Sequence, residues 1–261
     1  MITKYSGWKP SASSLSAMLR GRCPDASLHM TSNALLLGRF ARDLRTAGLQ
    51  GLNLSLDSLD RGTFHRITRR DLLGETWASI EKAYDLGFRP LKINCVVMGG
   101  LNDREAPDFV ELTREREIHV RFLEYMPYGA LNVLQPEYVS GEEIRRRIEA
   151  AGYRLVALPW GGGPARPYRV PGHRGTVGFI TAVSHHFCDR CNRLRLTADG
   201  YLVNCLYGRK RANLRDPLRR GAGDDEIVAI VQAELDRKWA AHPDLTRGEI
   251  PVLGTMSQIG G

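Results

Sequence analysis

Apolar and polar positions alternate in two rhythms along this chain. Between about residue 14 and residue 126, stretches with helical spacing trade places with stretches that alternate every second residue. Ser14 to Arg22 has helical spacing and precedes a short run, Ser27 to Thr31. Leu36 to Ala47 reads as a helix stopped by Gly48, where a left-handed cap suits glycine. Gly51 to Asp57 alternates with period two, and Thr76 to Leu86 is an amphipathic helix ending at Gly87. Leu91 to Met98 is strand-like, Arg104 to Arg116 helical, and His119 to Met126 strand-like again. Strands alternating with helices of about ten to fifteen residues predict right-handed crossovers and a parallel sheet, open or closed into a barrel.

The same alternation sorts the polar groups. Asn53, Ser55 and Asp57 share one face of their strand, opposite Leu52, Leu54 and Leu56. Lys92 and Asn94 oppose Leu91, Ile93 and Cys95, and Arg121 shares its face with His119 and Tyr125. Parallel strands covered on both sides are apolar on both faces as a rule. A repeated polar face therefore predicts a wet or ligand-filled barrel interior, with a solvated side of an open sheet as the alternative. Cys95 reads as a small core residue, Asp57 as a helix cap or turn residue. Glu124 falls on the face of Val120, Phe122 and Met126, where no role for it is evident.

After Met126 the rhythm changes. Pro127, Gly129 and Pro136 mark a linker, Glu142 to Ala151 a helix, and Gly161 to Pro164 a loop. Short strands are expected at 167–170, 177–181, 193–197 and 202–205, with a hairpin turn at Ala198-Asp199-Gly200 and a helix from Asp224 to Trp239. The division predicted is residues 1–13 as an unassigned segment, 14–126 as a partial barrel, and 127–261 as a C-terminal α+β domain.

The chain has 261 residues, 43% apolar content and a net charge of +8, enough for one large or two small domains. Arginine makes up most of the 37 basic residues, which fits either an anionic partner or a GC-rich genome. No basic tract carries interleaved aromatics, so a nucleic-acid surface is not expected. With neither a secretory leader nor an apolar run of membrane length, and with an odd five cysteines, the expectation is a reduced, cytoplasmic setting and no membrane.

Three of those cysteines carry the chemistry. Cys188 and Cys191 are separated by two residues, and Cys205 follows after thirteen more, where the hairpin turn would return it to them. Three protein ligands on a tetrahedral metal or an iron–sulfur corner leave one position open for substrate. By spacing alone zinc also fits, with His185 or His186 as fourth ligand. Arg193 and Arg195 would point to one side of an extended strand, a paired-guanidinium surface suited to phosphate.

At this point the chain resembles a known family. The run Phe187-Cys188-Asp189-Arg190-Cys191-Asn192-Arg193-Leu194-Arg195 with Cys205 is similar to the GTP 3′,8-cyclase family. So are Ser55-Leu56-Asp57-Ser58-Leu59, Lys92-Ile93-Asn94, Arg121 to Met126 and the terminal Ile259-Gly260-Gly261. That family opens molybdenum cofactor biosynthesis and belongs to the radical S-adenosylmethionine (SAM) proteins. The resemblance implies an incomplete TIM-like radical SAM barrel followed by an iron–sulfur domain. It implies a C-terminal [4Fe–4S] cluster on Cys188, Cys191 and Cys205, with GTP held by Thr31, Lys92, Arg121, Arg193 and Arg195. Ser55 and Met126 would border SAM, and Gly260 and Gly261 would reach into the active site. It further implies transfer of product to cyclic pyranopterin monophosphate synthase, and it allows a homodimer.

One departure is large. The family's first [4Fe–4S] cluster, which cleaves SAM, needs C-x-x-x-C-x-x-C, and this sequence holds only Cys23 in that region. About 30 residues per βαβ unit gives residues 1–126 about four strand–helix units where the family's barrel has six. The expectations are therefore a fragment, a mis-called start or a decayed copy, with an unpaired strand edge near Ser27 to Thr31 that favours aggregation or a partner. A silent GTP- and cluster-binding remnant, and a zinc-stabilised nucleic-acid module, are the alternative functions.

Overall fold

The computed structural model describes residues 11–126, 136–161, 163–208 and 212–239. Helix α1 (Ala12–Arg22) opens on Ser11, whose hydroxyl accepts the Ser14 N–H. Strand β1 (His29–Ser32), α2 (Leu37–Thr46) and β2 (Gly51–Ser55) follow. Next come α3 (Arg61–Thr68), α4 (Leu73–Asp85), β3 (Leu91–Val97), α5 (Ala106–Glu111) and β4 (Ile118–Glu124). Then α6 (Gly141–Ala150) leads to β5 (Val156–Ala157), β6 (Arg166–Arg169) and β7 (Thr176–Ile180).

Strands β1, β2, β3, β4 and β7 pair in parallel, and β6 and β5 extend that sheet in antiparallel fashion beyond β7. This is the parallel α/β pattern of an incomplete TIM-like barrel. Among the described residues the sheet stays open, with β1 at one edge and β5 at the other.

Two expectations differ from what is observed. The sheet runs past residue 126, because β7, drawn from the C-terminal half, docks beside β4 as a fifth parallel strand. Helix α5 is shorter than Arg104 to Arg116. The helix ends at Glu111 with Leu112 as its cap, and the Thr113 hydroxyl just beyond is buried against the His173 ring 2.8 Å away. Residues 1–10, the 127–135 part of the expected linker, and the tail lie outside the described residues.

The apolar faces of the strands build the core. Leu52, Leu54, Leu91, Ile93, Val120 and Val177 are fully buried, and α2, α4, α5 and α6 contribute Leu44, Ile80, Phe109 and Ile148. Each such side chain contributes about 1.5–3 kcal/mol. Phe122 sits at the centre, edge-on to Phe109 at 6.2 Å and stacked on Phe179 at 5.9 Å. Cys95 is buried in this layer, as its alternation with Lys92 and Asn94 requires.

The remaining elements are smaller. After a single 3-10 turn (Cys188–Arg190), β8 (Arg195–Leu196), β9 (Tyr201–Val203) and β10 (Ala212–Asn213) make a three-stranded antiparallel sheet. Helices α7 (Arg215–Arg219) and α8 (Asp224–Asp236) follow, and α8 lays Ile227, Ile230 and Val231 on Leu202, Ala212 and Leu214. The β8–β9 turn closes as expected. Thr197 N–H donates to Tyr201 O at 2.9 Å, and Gly200 takes φ 87°, where a Cβ would also strike Arg215.

Candidate functional site

Strand register gathers the polar groups of the sheet into two rows. One row runs Thr31, Asn53, Lys92, His119, Thr176 across β1, β2, β3, β4 and β7. The next runs Ser55, Asn94, Arg121, Gly178. Residues far apart in the chain thus stand side by side on one face. The His119 ring lies 2.8 Å from the Thr176 hydroxyl. Part of this face opens into a cavity of about 280 Å³, lined by Lys92, His119, Arg121, Trp160 and Thr176 among others.

The electrostatics of the face are one-sided. Burial pushes the Lys92 ammonium down from its ordinary value, and Arg121 pushes it further. Burial, then Arg193, brings Arg121 down to about 10. His29 and His119 are also lowered, by burial first and then by Lys92 and Arg121, although Glu117 pulls His119 the other way. Among the described residues neither Lys92, Arg121 nor Arg193 forms an ion pair with a carboxylate. Half-buried cations without counter-ions cost free energy that an anionic ligand would return.

Arg193, which follows the cysteine turn, is near enough to Arg121 to weigh on its charge. The guanidinium of Arg193 lies 5.0 Å from the centre of the Phe187 ring. Cys188 and Cys191 flank one tight turn, with Cys191 N–H donating to Cys188 O at 3.2 Å. Cys205 follows the end of β9 by two residues. The Lys238 ammonium ties the two arms together, donating to Arg193 O at 3.0 Å and Asn204 O at 2.6 Å. Arg195 opens β8, opposite Val203.

The donor set suits an iron–sulfur cluster. All three cysteines are half-buried, and none is in a disulfide. Burial opposes ionisation of Cys191, yet the Arg193 backbone N–H, the Arg193 guanidinium and Lys238 outweigh it and hold the thiol below its ordinary value. Among the described residues no three His, Cys, Asp or Glu side chains close around a point that one metal ion could occupy. A single zinc requires such a point. A cubane does not, because each cysteine binds a different iron. For the SAM-cleaving cluster the residues do not fit. The two remaining cysteines are Cys23, exposed after α1, and Cys95, buried on the apolar face of β3.

Other expected site residues are scattered more widely. Ser55 is exposed at the end of β2, and Met126 is half-buried just past β4. Gly260 and Gly261 lie outside the described residues. Ser55 and Asp57 border a cavity of about 520 Å³ with Asn33, Arg70 and Glu75.

Asp57 is not a helix cap, a role taken by Asp60 on α3. Its Oδ1 accepts the Val96 N–H at 2.9 Å. Burial pushes the Asp57 carboxyl up to about 6, against that hydrogen bond. The folded state therefore favours the protonated form. This contribution is complete below the ordinary carboxylate range and is lost as pH rises through about 6. Asp57→Asn, neutral throughout, is expected to flatten the urea midpoint between about pH 4 and 7 relative to the parent. Parallel midpoint curves would count against this.

Periodicity left Glu124 without a role, and the structure supplies one. It is 1% exposed, and its carboxylate accepts from Gly141 N–H at 2.8 Å, Val183 N–H at 2.8 Å, Ser184 N–H at 2.9 Å and the Ser184 hydroxyl. Burial and Glu124 together push Tyr138 up to about 12. One side chain thereby joins the end of β4, the start of α6 and the loop leading to Cys188. Glycine is required at 141, since a Cβ there would strike the Thr181 methyl group.

Comparison with known proteins gives matches in two segments. The radical SAM superfamily profile matches residues 9–113, and the Molybdenum Cofactor Synthesis C profile matches residues 118–243. The chain is similar to the GTP 3′,8-cyclase of Heliobacterium modesticaldum, 46% identical over 235 residues that cover 89% of this chain and 72% of that protein. It is 45% identical to the GTP 3′,8-cyclase of Gloeobacter violaceus, over 90% of this chain and 74% of that one. It is 42% identical to molybdenum cofactor biosynthesis protein 1 of Drosophila melanogaster, over 82% of this chain and 38% of that protein.

Proposed function

The chain belongs to the GTP 3′,8-cyclase family, and on that premise we propose that the polar sheet face and the cysteine turn form one GTP site. The observation that carries this reading is the group Lys92, Arg121 and Arg193, brought together without a carboxylate partner among the described residues. The activity is the family's, a lyase-type cyclisation of GTP in molybdenum cofactor biosynthesis that yields (8S)-3′,8-cyclo-7,8-dihydroguanosine 5′-triphosphate.

In this reading Cys188, Cys191 and Cys205 hold a [4Fe–4S] cluster. Bound there, the cluster supplies one iron with an open coordination position for the guanine base. Lys92, Arg121, Arg193 and Arg195 neutralise the triphosphate, with Thr31 beside them, and so fix the ribose in one place. Ser55 and Met126, at the carboxyl ends of β2 and β4, border SAM. Gly260 and Gly261 enter the site as residues without side chains. No step is assigned to the SAM-cleaving cluster, since the present cysteines do not form its ligand set. That mismatch favours a second reading, a GTP- and cluster-binding chain that does not cleave SAM by itself. Residues 14–126 and 127–261 would act as barrel and cluster portions, product would pass to cyclic pyranopterin monophosphate synthase, and a homodimer is compatible with both readings. A cytoplasmic setting belongs to the same proposal. No helix among the described residues is long and apolar enough to cross a membrane.

Anaerobic reconstitution with iron and sulfide tests this. About four iron and four sulfide per chain, with calorimetric GTP binding, is the expected result. SAM cleavage with dithionite separates active enzyme from silent binder. Stoichiometric zinc without sulfide, with retention on DNA, would replace both with a zinc module.

A further inference from the structure

The side chain of Arg121 lies across the sheet. Its Nε donates to Asn94 Oδ1 on the neighbouring strand at 2.8 Å, and its Nη2 reaches Asn53 Oδ1 one strand further at 2.6 Å. Two strands span roughly 10 Å, so the stem is nearly extended along the face. Gly178, in register on the other side, offers no side chain to compete for the guanidinium. A guanidinium can only donate, so both amides must present oxygen to it and turn their NH₂ groups away. Among the described residues those two NH₂ groups, and Nη1 of Arg121, make no hydrogen bond.

We propose that Asn53 and Asn94 are positioning residues of the anion site, neutral acceptors that aim Arg121 without cancelling its charge. The inference rests on the reading of this face as a triphosphate site. A half-buried arginine is ordinarily fixed by a carboxylate, which holds it more strongly than an amide does. Here a carboxylate would neutralise the cation that the ligand needs. The two amides hold the guanidinium by direction alone. They leave Nη1 as a donor and add two NH₂ donors on the same face, where phosphate oxygens are acceptors only. Lys92 is paired with no carboxylate either, so the arrangement leaves both cations of the face uncancelled.

The test is calorimetric binding of GTP, inorganic tripolyphosphate and guanosine to the reconstituted full chain and to Asn94→Asp and Asn53→Asp. Aspartate has the size of asparagine and binds Arg121 more tightly, so melting midpoints should hold or rise. Affinity for GTP and tripolyphosphate should nevertheless fall at least about tenfold, the effect of a unit negative charge placed at a half-buried site. Guanosine binding should not change. A merely structural role predicts the reverse, unaltered anion affinity wherever the fold is kept. Wild-type tripolyphosphate binding that persists undiminished in both aspartate variants overturns this inference and leaves the GTP reading standing. A wild-type chain that binds neither GTP nor tripolyphosphate overturns both. If Asn94→Asp does not fold, Asn53→Asp and Asn94→Ala decide by the same measure, the alanine variant weakening tripolyphosphate by freeing Arg121.

Discussion

Glu124→Ala is expected to lower the unfolding free energy by about 2–3 kcal/mol, the effect of taking the shared acceptor from several neutral donors. The loss exceeds that of a surface carboxylate because nothing replaces the acceptor. The Gly141, Val183 and Ser184 N–H groups and the Ser184 hydroxyl all converge on it. Of these, the Gly141 N–H is buried and would be left without a partner, while the donors of Val183 and Ser184 are part-buried; an unpaired buried donor costs about 1–3 kcal/mol. For a chain of this length that is a drop of about 5–10 °C in the melting midpoint. A second readout separates this junction from ordinary core damage. The loop after β7 runs directly into Cys188, so the cluster site should be lost before the parallel sheet is. On a thermal ramp the iron–sulfur absorbance would then decline below the temperature at which far-ultraviolet dichroism does. Coincident transitions, or a midpoint unchanged from the parent, would refute the role given to this carboxylate.

Cys191→Ala is expected to take iron and sulfide from about four per chain to near zero after anaerobic reconstitution. This cysteine is chosen because its thiol is held below its ordinary value, by Arg193 and Lys238 acting against burial. Two remaining cysteines cannot hold three corners of a cubane. Cys23→Ser supplies the control, since Cys23 is exposed after α1 and far in sequence from the turn. It should retain iron and sulfide unchanged. Equal loss in both variants, or retention in both, would remove Cys191 from the ligand set.

Much of the fold was legible from spacing. The four strands from His29 to Glu124, with α2 and α4, lie within a few residues of where periodicity put them, and the hairpin at Ala198 to Gly200 closes as its residues predict. Helix α3 escaped because only Phe64 of its eight residues is buried, so it leaves almost no periodic trace. Strands β5 and β10 have two residues each, too few for any rhythm. The cysteine–arginine segment was legible because a ligand set must be written in particular residue types at particular spacings. Asp57 was misread because its partner, the Val96 N–H, lies 39 positions away.

Which residues share a face is written in the chain alone. Alternation along a strand is a local property of the extended backbone, so Lys92 goes with Asn94, and His119 with Arg121, whatever the strands pair with. Which faces meet, and at what register, came from tertiary packing. Val177 to Thr181 was recognisable as a strand, but its place beside β4 depends on a backbone ladder and a crossover path that no local pattern encodes. The clamp of Asn53 and Asn94 on Arg121 depends on the register of three strands, and the hub at Glu124 on the convergence of three chain segments. Long-range pairing is fixed by the packing of the whole apolar layer, which is why the chemistry could be named from the sequence and its geometry could not.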